Sequence, residues 1–96
     1  MNIGKTIKVI RKRKGLSQLE LATKSEISQT YLSQIEIGQR SPTLEVLTKI
    51  SSALDIPFHV ISFLTLEHSD IAKNKIEAYE RIEPVVNALI KEFFLQ

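Results

Sequence analysis

Between residues 28 and 34 the chain places Ser28, Gln29, Thr30, Ser33 and Gln34, all uncharged and all rich in hydrogen-bond donors or acceptors. An exposed helix face ordinarily carries Lys and Glu. Amides and hydroxyls in their place suit the edges of base pairs, because Gln bonds bidentately to adenine and Thr offers its methyl to thymine. Other chemistries lack candidates. The absence of cysteine removes disulfides, thiolate metal sites and thiol nucleophiles. His59 and His68 have no acidic or thiol partners at ligand spacing and read as packing or surface residues. Serines and carboxylates are plentiful, yet none is patterned as a nucleophile with an oriented base. No catalysis, metal or cofactor is therefore expected.

An amide row of this kind needs a rigid platform, and the stretch from Ser17 to Gly38 is patterned to supply one. Ser17 followed by Glu20 is a capping box that opens a helix running to about Lys24. Ser28 opens the next helix, to about Ile37, and Gly38 ends it. The apolar residues Leu19, Leu21, Ala22, Ile27, Leu32 and Ile35 can be buried together only if these two helices meet at a steep angle.

The flanking segments are also helical in pattern. Ile3, Ile7 and Ile10, with Val9 beside them, recur at helical spacing and predict a helix to Lys14 with Lys and Arg on its other faces. Gly15 is placed to end it in a left-handed turn, with cations in the last turn where the helix dipole favours them. After a turn at Gln39 to Pro42, Thr43 caps a fourth helix whose wide apolar face comprises Leu44, Val46, Leu47, Ile50, Ala53 and Leu54. Asp55 ends that helix. Pro57 then stands at or near the first position of a short fifth helix, from Phe58 to about Leu64. This last segment is apolar nearly all round and is expected between two surfaces; its β-branched and aromatic content leaves a strand as the other reading.

The segment from Ser69 to Gln96 follows a different pattern. Tyr79, Ile82, Val86, Leu89 and Phe93 recur at alternating steps of three and four, the spacing of an interhelical seam, with Val85, Ile90 and Phe94 widening it. Pro84 lies opposite the seam and either kinks this helix or begins a second one, because it cannot donate to the Glu80 carbonyl. Five preceding helices already hold a core, so Tyr79, Ile82, Val86, Leu89, Ile90 and Phe93 are expected to form a homodimer. The other reading is that the tail caps its own domain.

The 96 residues are 43% hydrophobic with three Gly and three Pro, which fits a folded helical domain rather than a disordered chain. No stretch approaches the roughly 20 apolar residues of a membrane span, and no signal-peptide run opens the chain, so a cytoplasmic protein is expected. The net charge of +2 is unevenly spread: eight Lys and Arg face three Glu up to Thr43, and five face eight acidic residues thereafter. Only the basic half is suited to a polyanion.

From Ile10 to Pro57 the sequence IRKRKGLSQLELATKSEISQTYLSQIEIGQRSPTLEVLTKISSALDIP resembles the Cro/phage-repressor type of helix-turn-helix protein, also called the XRE family. Three features carry the resemblance: GLSQ followed by ELA, the segment YLSQIE ending in Gly38, and the helix closing on Ala53–Leu54 before Ile56–Pro57. The compact length is also similar to that of restriction–modification controller proteins, which usually end soon after the fifth helix. The resemblance implies an all-α, five-helix lambda-repressor-like domain at residues 1–66, with a helical dimerisation extension at 67–96. It implies base contacts from Ser28, Gln29, Thr30, Ser33 and Gln34, with Ser28 serving either as contact or as cap alone and Ser33 either as contact or as a solvent-facing residue. It implies phosphate contacts from Arg13, Lys14, Ser17, Gln18, Tyr31 and Arg40; for Tyr31 a core position is the other reading. Arg11 and Glu36 resemble a structural ion pair between the first and third helices, with a phosphate contact open to Arg11.

The function so implied is a sequence-specific transcriptional regulator, with repression by promoter occlusion as the expected consequence and activation by touching polymerase as the other reading. It would bind an inverted repeat in double-stranded DNA as a homodimer, without a membrane or an evident small-molecule ligand. The alternative of another class is a protein-interaction module on the same fold, such as an antitoxin or a regulator subunit.

Overall fold

The computed structural model describes residues 2–95. The end positions 1 and 96 of the two expected segments lie outside that range. The described residues form six α-helices and two 3-10 turns, with no strand among them. The expected all-α architecture is therefore present, and the fifth segment is a helix.

Each helix starts and stops for a local reason. α1 (Ile3–Arg13) begins at Asn2, whose Oδ1 accepts from the Lys5 amide at 3.1 Å, and ends where Gly15 turns left-handed at φ 72°. α2 (Gln18–Lys24) starts on the capping box. Ser17 Oγ accepts from the Glu20 amide at 3.0 Å, and Glu20 Oε1 accepts from the Ser17 amide at 3.0 Å. The Ser17 backbone bond, then its hydroxyl, hold the Glu20 carboxyl below its ordinary value by favouring the charged form. Ser28 caps α3 (Gln29–Glu36) through the Tyr31 amide at 3.0 Å, and Thr43 caps α4 (Leu44–Leu54) through the Val46 amide at 3.2 Å. Asp55 closes α4 at φ 57°, and Pro57 occupies the N-cap position of α5 (Phe58–Thr65) without a side-chain cap bond.

One core joins α1 to α5. Ile7 and Ile10, Leu21 and Ala22, Leu32 and Ile35, Ile50 and Leu54, Ile56, and Ile61 are all buried together. Each such Ile or Leu contributes about 1.5–3 kcal/mol relative to exposure. α4 and α5 meet at 100° within this core, and no single helix among the described residues is long and apolar enough to cross a membrane.

In these helices the structure corrects three expectations and decides between the two readings of Pro84. Leu19 is exposed, because it lies about 200° around the helix from Leu21 and α2 buries only its Leu21–Ala22 face. Leu44 is exposed at the first position of α4, where the helix starts beyond the core. α5 is not enclosed between two surfaces: Ile61 is its one fully buried large apolar residue among those described, and Phe58, Val60, Phe63 and Leu64 stay half-buried. Pro84 begins no second helix, since α6 runs unbroken from Ile76 to Phe94. Pro84 and Glu80 are both exposed, so water can reach the carbonyl that proline leaves without an intrahelical donor.

The tail divides its apolar residues between two surfaces. Ile90 is 6% exposed, and Phe94 and Leu95 pack against the core, whereas Ile82, Val85, Leu89 and Phe93 are 55, 60, 49 and 72% exposed. Ile90, expected in the intermolecular seam, is instead an anchor of α6 to its own domain. Val86 and Tyr79 are half-buried. Tyr79 Oη donates to the Leu66 carbonyl at 3.4 Å, and its ring meets His68 edge-on. Desolvation, then the Glu83 and Asp70 charges, push the Tyr79 phenol above its ordinary value.

Candidate nucleic-acid interface

α3 is an eight-residue helix with two unlike faces. Leu32, Ile35 and Glu36 are buried. At about 100° per residue, Gln29, Ser33, Thr30 and Gln34 fall within an arc of about 140° on the other side. Gln29 and Thr30 are exposed, and Ser33 and Gln34 are half-exposed. Ser28 is exposed at the cap, its hydroxyl engaged by the Tyr31 amide. The five residues singled out for base contact therefore share one outward surface at the start and along one side of α3.

The inner face of α3 is held by an ionic lock. Arg11 Nε donates to Glu36 Oε2 at 2.7 Å and Nη2 to Oε1 at 3.0 Å, with the two side chains 8 and 0% exposed. Arg11 Nη1 donates to the Leu16 carbonyl at 2.9 Å. Gln18 Nε2 donates to Glu36 Oε1 at 3.0 Å, so one carboxylate ties α1, α2 and α3 together. Arg11 is thereby turned inward, away from any phosphate. Gln18 lies at the start of α2, but one of its two amide hydrogens is committed to Glu36, leaving the other for an anion.

A second feature was not foreseen from the sequence. A Cβ on Gly4 would stand 1.9 Å from the Ile35 carbonyl oxygen, so only glycine lets α1 approach the end of α3 this closely. A glycine inside an otherwise regular helical pattern was the available signal.

The other flanking residues separate into two groups. The Arg40 guanidinium, from the turn after α3, stacks over the Tyr31 ring at 4.8 Å from its centroid. Tyr31 is half-buried and packs against the core with one side, which meets the core reading in part. Ser17 is exposed at the start of α2. Arg13 and Lys14 are brought instead to the end of α6: Arg13 Nε donates to the Leu95 carbonyl at 3.3 Å, and Lys14 lines a cleft with Asp55, Phe93 and Phe94. Among the described residues no three His, Asp or Glu side chains gather as a metal site.

A family model described as helix-turn-helix matches residues 7–61. The chain is similar to the immunity repressor protein of Bacillus phage phi105, at 33% identity over 95 residues, covering 86% of this chain and 66% of that protein. It is similar to the HTH-type transcriptional regulator SinR of Bacillus subtilis (strain 168), at 43% over 60 residues, covering 62% and 54%. It is also similar to the HTH-type transcriptional regulator SlrR of the same organism, at 44% over 55 residues, covering 56% and 36%. The chain thus spans between about a third and two thirds of the length of these relatives.

Proposed function

Since the chain belongs to the XRE-type helix-turn-helix family, we propose that it is a sequence-specific DNA-binding transcriptional regulator that acts as a repressor. Two copies joined through α6 each lay α3 into the major groove of one half-site of an inverted repeat, with half-site centres about 34 Å apart. Gln29 and Gln34 bond base edges, Thr30 offers its methyl to thymine, and Ser28 and Ser33 complete the reading surface. Tyr31, Arg40, Ser17 and the free amide hydrogen of Gln18 fix register on phosphates, where the α2 N-terminus adds attraction for an anion only as part of this surface.

The single observation that carries the reading is the two-faced construction of α3: an outward amide and hydroxyl row on a helix clamped beneath by the Arg11–Glu36–Gln18 lock. A reading helix must not swivel, and burial of the lock opposes swivelling. The relatives named above, a repressor and two transcriptional regulators, support the same direction.

The test is selection of bound duplexes from a random pool, followed by mobility shift across a salt series. The expected outcome is a symmetric consensus whose affinity falls steeply with salt. Gln29→Ala with Gln34→Ala should relax base choice, at about 1–3 kcal/mol for each bidentate pair lost. Unchanged sequence preference in that double variant would overturn the base-reading assignment. Absence of any salt-sensitive binding would favour the interaction-module alternative.

A further inference from the structure

A groove of ≈ 330 Å³ runs between α1, the α5–α6 connection and the C-terminal half of α6. Its volume lies at the small end of the roughly 300–1,000 Å³ typical of sites for small organic ligands. One wall is apolar: Val9 and Ile10 from α1, Leu64 and Leu66 from the end of α5, and Leu95 beyond α6. Lys5, Arg13 and Lys91 line the same groove, against Glu67 as its one carboxylate among the described residues. None of the three cations has a carboxylate partner among the described residues; Arg13 meets only the neutral Leu95 carbonyl. Val9 is exposed at this edge, although it sits on a helix face otherwise given to Lys and Arg.

Two other concave or apolar surfaces lack this combination. The cleft beside Lys14 sets that cation against Asp55, which balances its charge. The exposed stripe of Ile82, Val85, Leu89 and Phe93 lines neither end of the α1–α6 groove. An apolar wall whose described margin carries an excess of two positive charges complements one class of molecule, an alkyl or aryl chain ending in an anion.

We propose that the groove between α1 and α6 is a binding site for an amphipathic organic anion, a medium-chain carboxylate. The chain lies along Val9, Ile10, Leu64, Leu66 and Leu95, and the carboxylate meets Lys5, Arg13 and Lys91. The apolar contact supplies affinity, and the cations supply selectivity for the charged head.

The test uses the full chain with sodium decanoate as probe and decanol as its neutral counterpart, followed by amide chemical-shift mapping. No DNA enters this measurement, so its outcome is independent of the operator reading. Saturable shifts should centre on Thr6, Val9, Leu66 and Lys91, and decanol should bind about tenfold more weakly, the loss of two or three partly exposed charge pairs. Lys5→Glu with Lys91→Glu should lower decanoate affinity at least as much, with an unchanged circular dichroism spectrum and melting midpoint. Lys5→Gln with Lys91→Gln should fall between, and Leu44→Ser, exposed outside the groove, should bind as the parent does. The proposal is overturned by shifts centred on Ile82, Val85 and Leu89, by equal binding of decanol, by full affinity in the charge-reversed variant, or by no saturable shift at all.

Discussion

In α1 to α5 most large apolar side chains converge on a shared core, with Val9, Leu19 and Leu44 exposed outside it on three different helices, and the outward row on α3 is amide and hydroxyl. In α6 the division runs the other way: Ile90 and Phe94 face inward while Ile82, Val85, Leu89 and Phe93 face out. The difference shows two routes from burial to function. Where the core is complete, exposed polar groups can be spent on recognition without loss of stability. Where apolar residues remain exposed as a stripe on one helix, they mark a face suited to association.

Five variants would break or sharpen this contrast, the first being the most severe. Glu36→Ala strands Arg11 as a buried charge, and should cost about 3–5 kcal/mol in urea unfolding. Arg11→Met with Glu36→Leu should recover most of that loss, which would separate the burial of charge from the packing of α3. If Glu36→Ala proved mild, the lock would not be what holds the reading helix. Gly4→Ala should come next, at about 1–3 kcal/mol, because the added methyl collides with the Ile35 carbonyl. Ordinarily the same change inside a helix stabilises, so a rise in the urea midpoint would show that α1 and α3 are not so closely opposed.

On α6 the expected signs change. Leu89→Glu should alter the stability of the isolated subunit by no more than about 0.5 kcal/mol, since Leu89 is exposed there. It should nevertheless shift sedimentation from dimer to monomer; an unchanged profile would remove α6 as the association face. The smallest effect belongs to Glu20. Its folded value is depressed, so its contribution is present above the ordinary carboxylate range and is lost as pH falls through the lower folded value. Glu20→Gln should therefore flatten the acid limb of stability against pH, as followed by thermal melts, with the variant slightly less stable than the parent near neutrality and the two converging at low pH.

Much of the fold was legible before any coordinates. Ser17, Ser28 and Thr43 do what their positions announce, because a cap acts on amides two or three residues away. Gly15 and Gly38 adopt positive φ where a helix must stop. The outward row on α3 was legible for the same reason, since helical phase relates neighbours. Short or marginal elements misled. Two apolar residues two positions apart in α2 cannot share one face, so Leu19 lost to Leu21. Around α6 the seam spacing identified an apolar stripe but not how much of it the domain itself would cover, and Ile90 went inward.

Local rules therefore account for which segments are helical, where they begin and end, and which polar groups line one side of α3, each interaction acting within about one turn of its own residue. Packing through space accounts for the rest. It joins Gln18 to the carboxylate that Arg11 holds, sets Gly4 beneath the Ile35 carbonyl, and draws Arg13 to Leu95, 82 positions away. The physical reason is range: capping and periodicity are written in neighbouring residues, whereas a shared carboxylate, a close backbone approach or a groove between α1 and α6 exists only once distant segments meet.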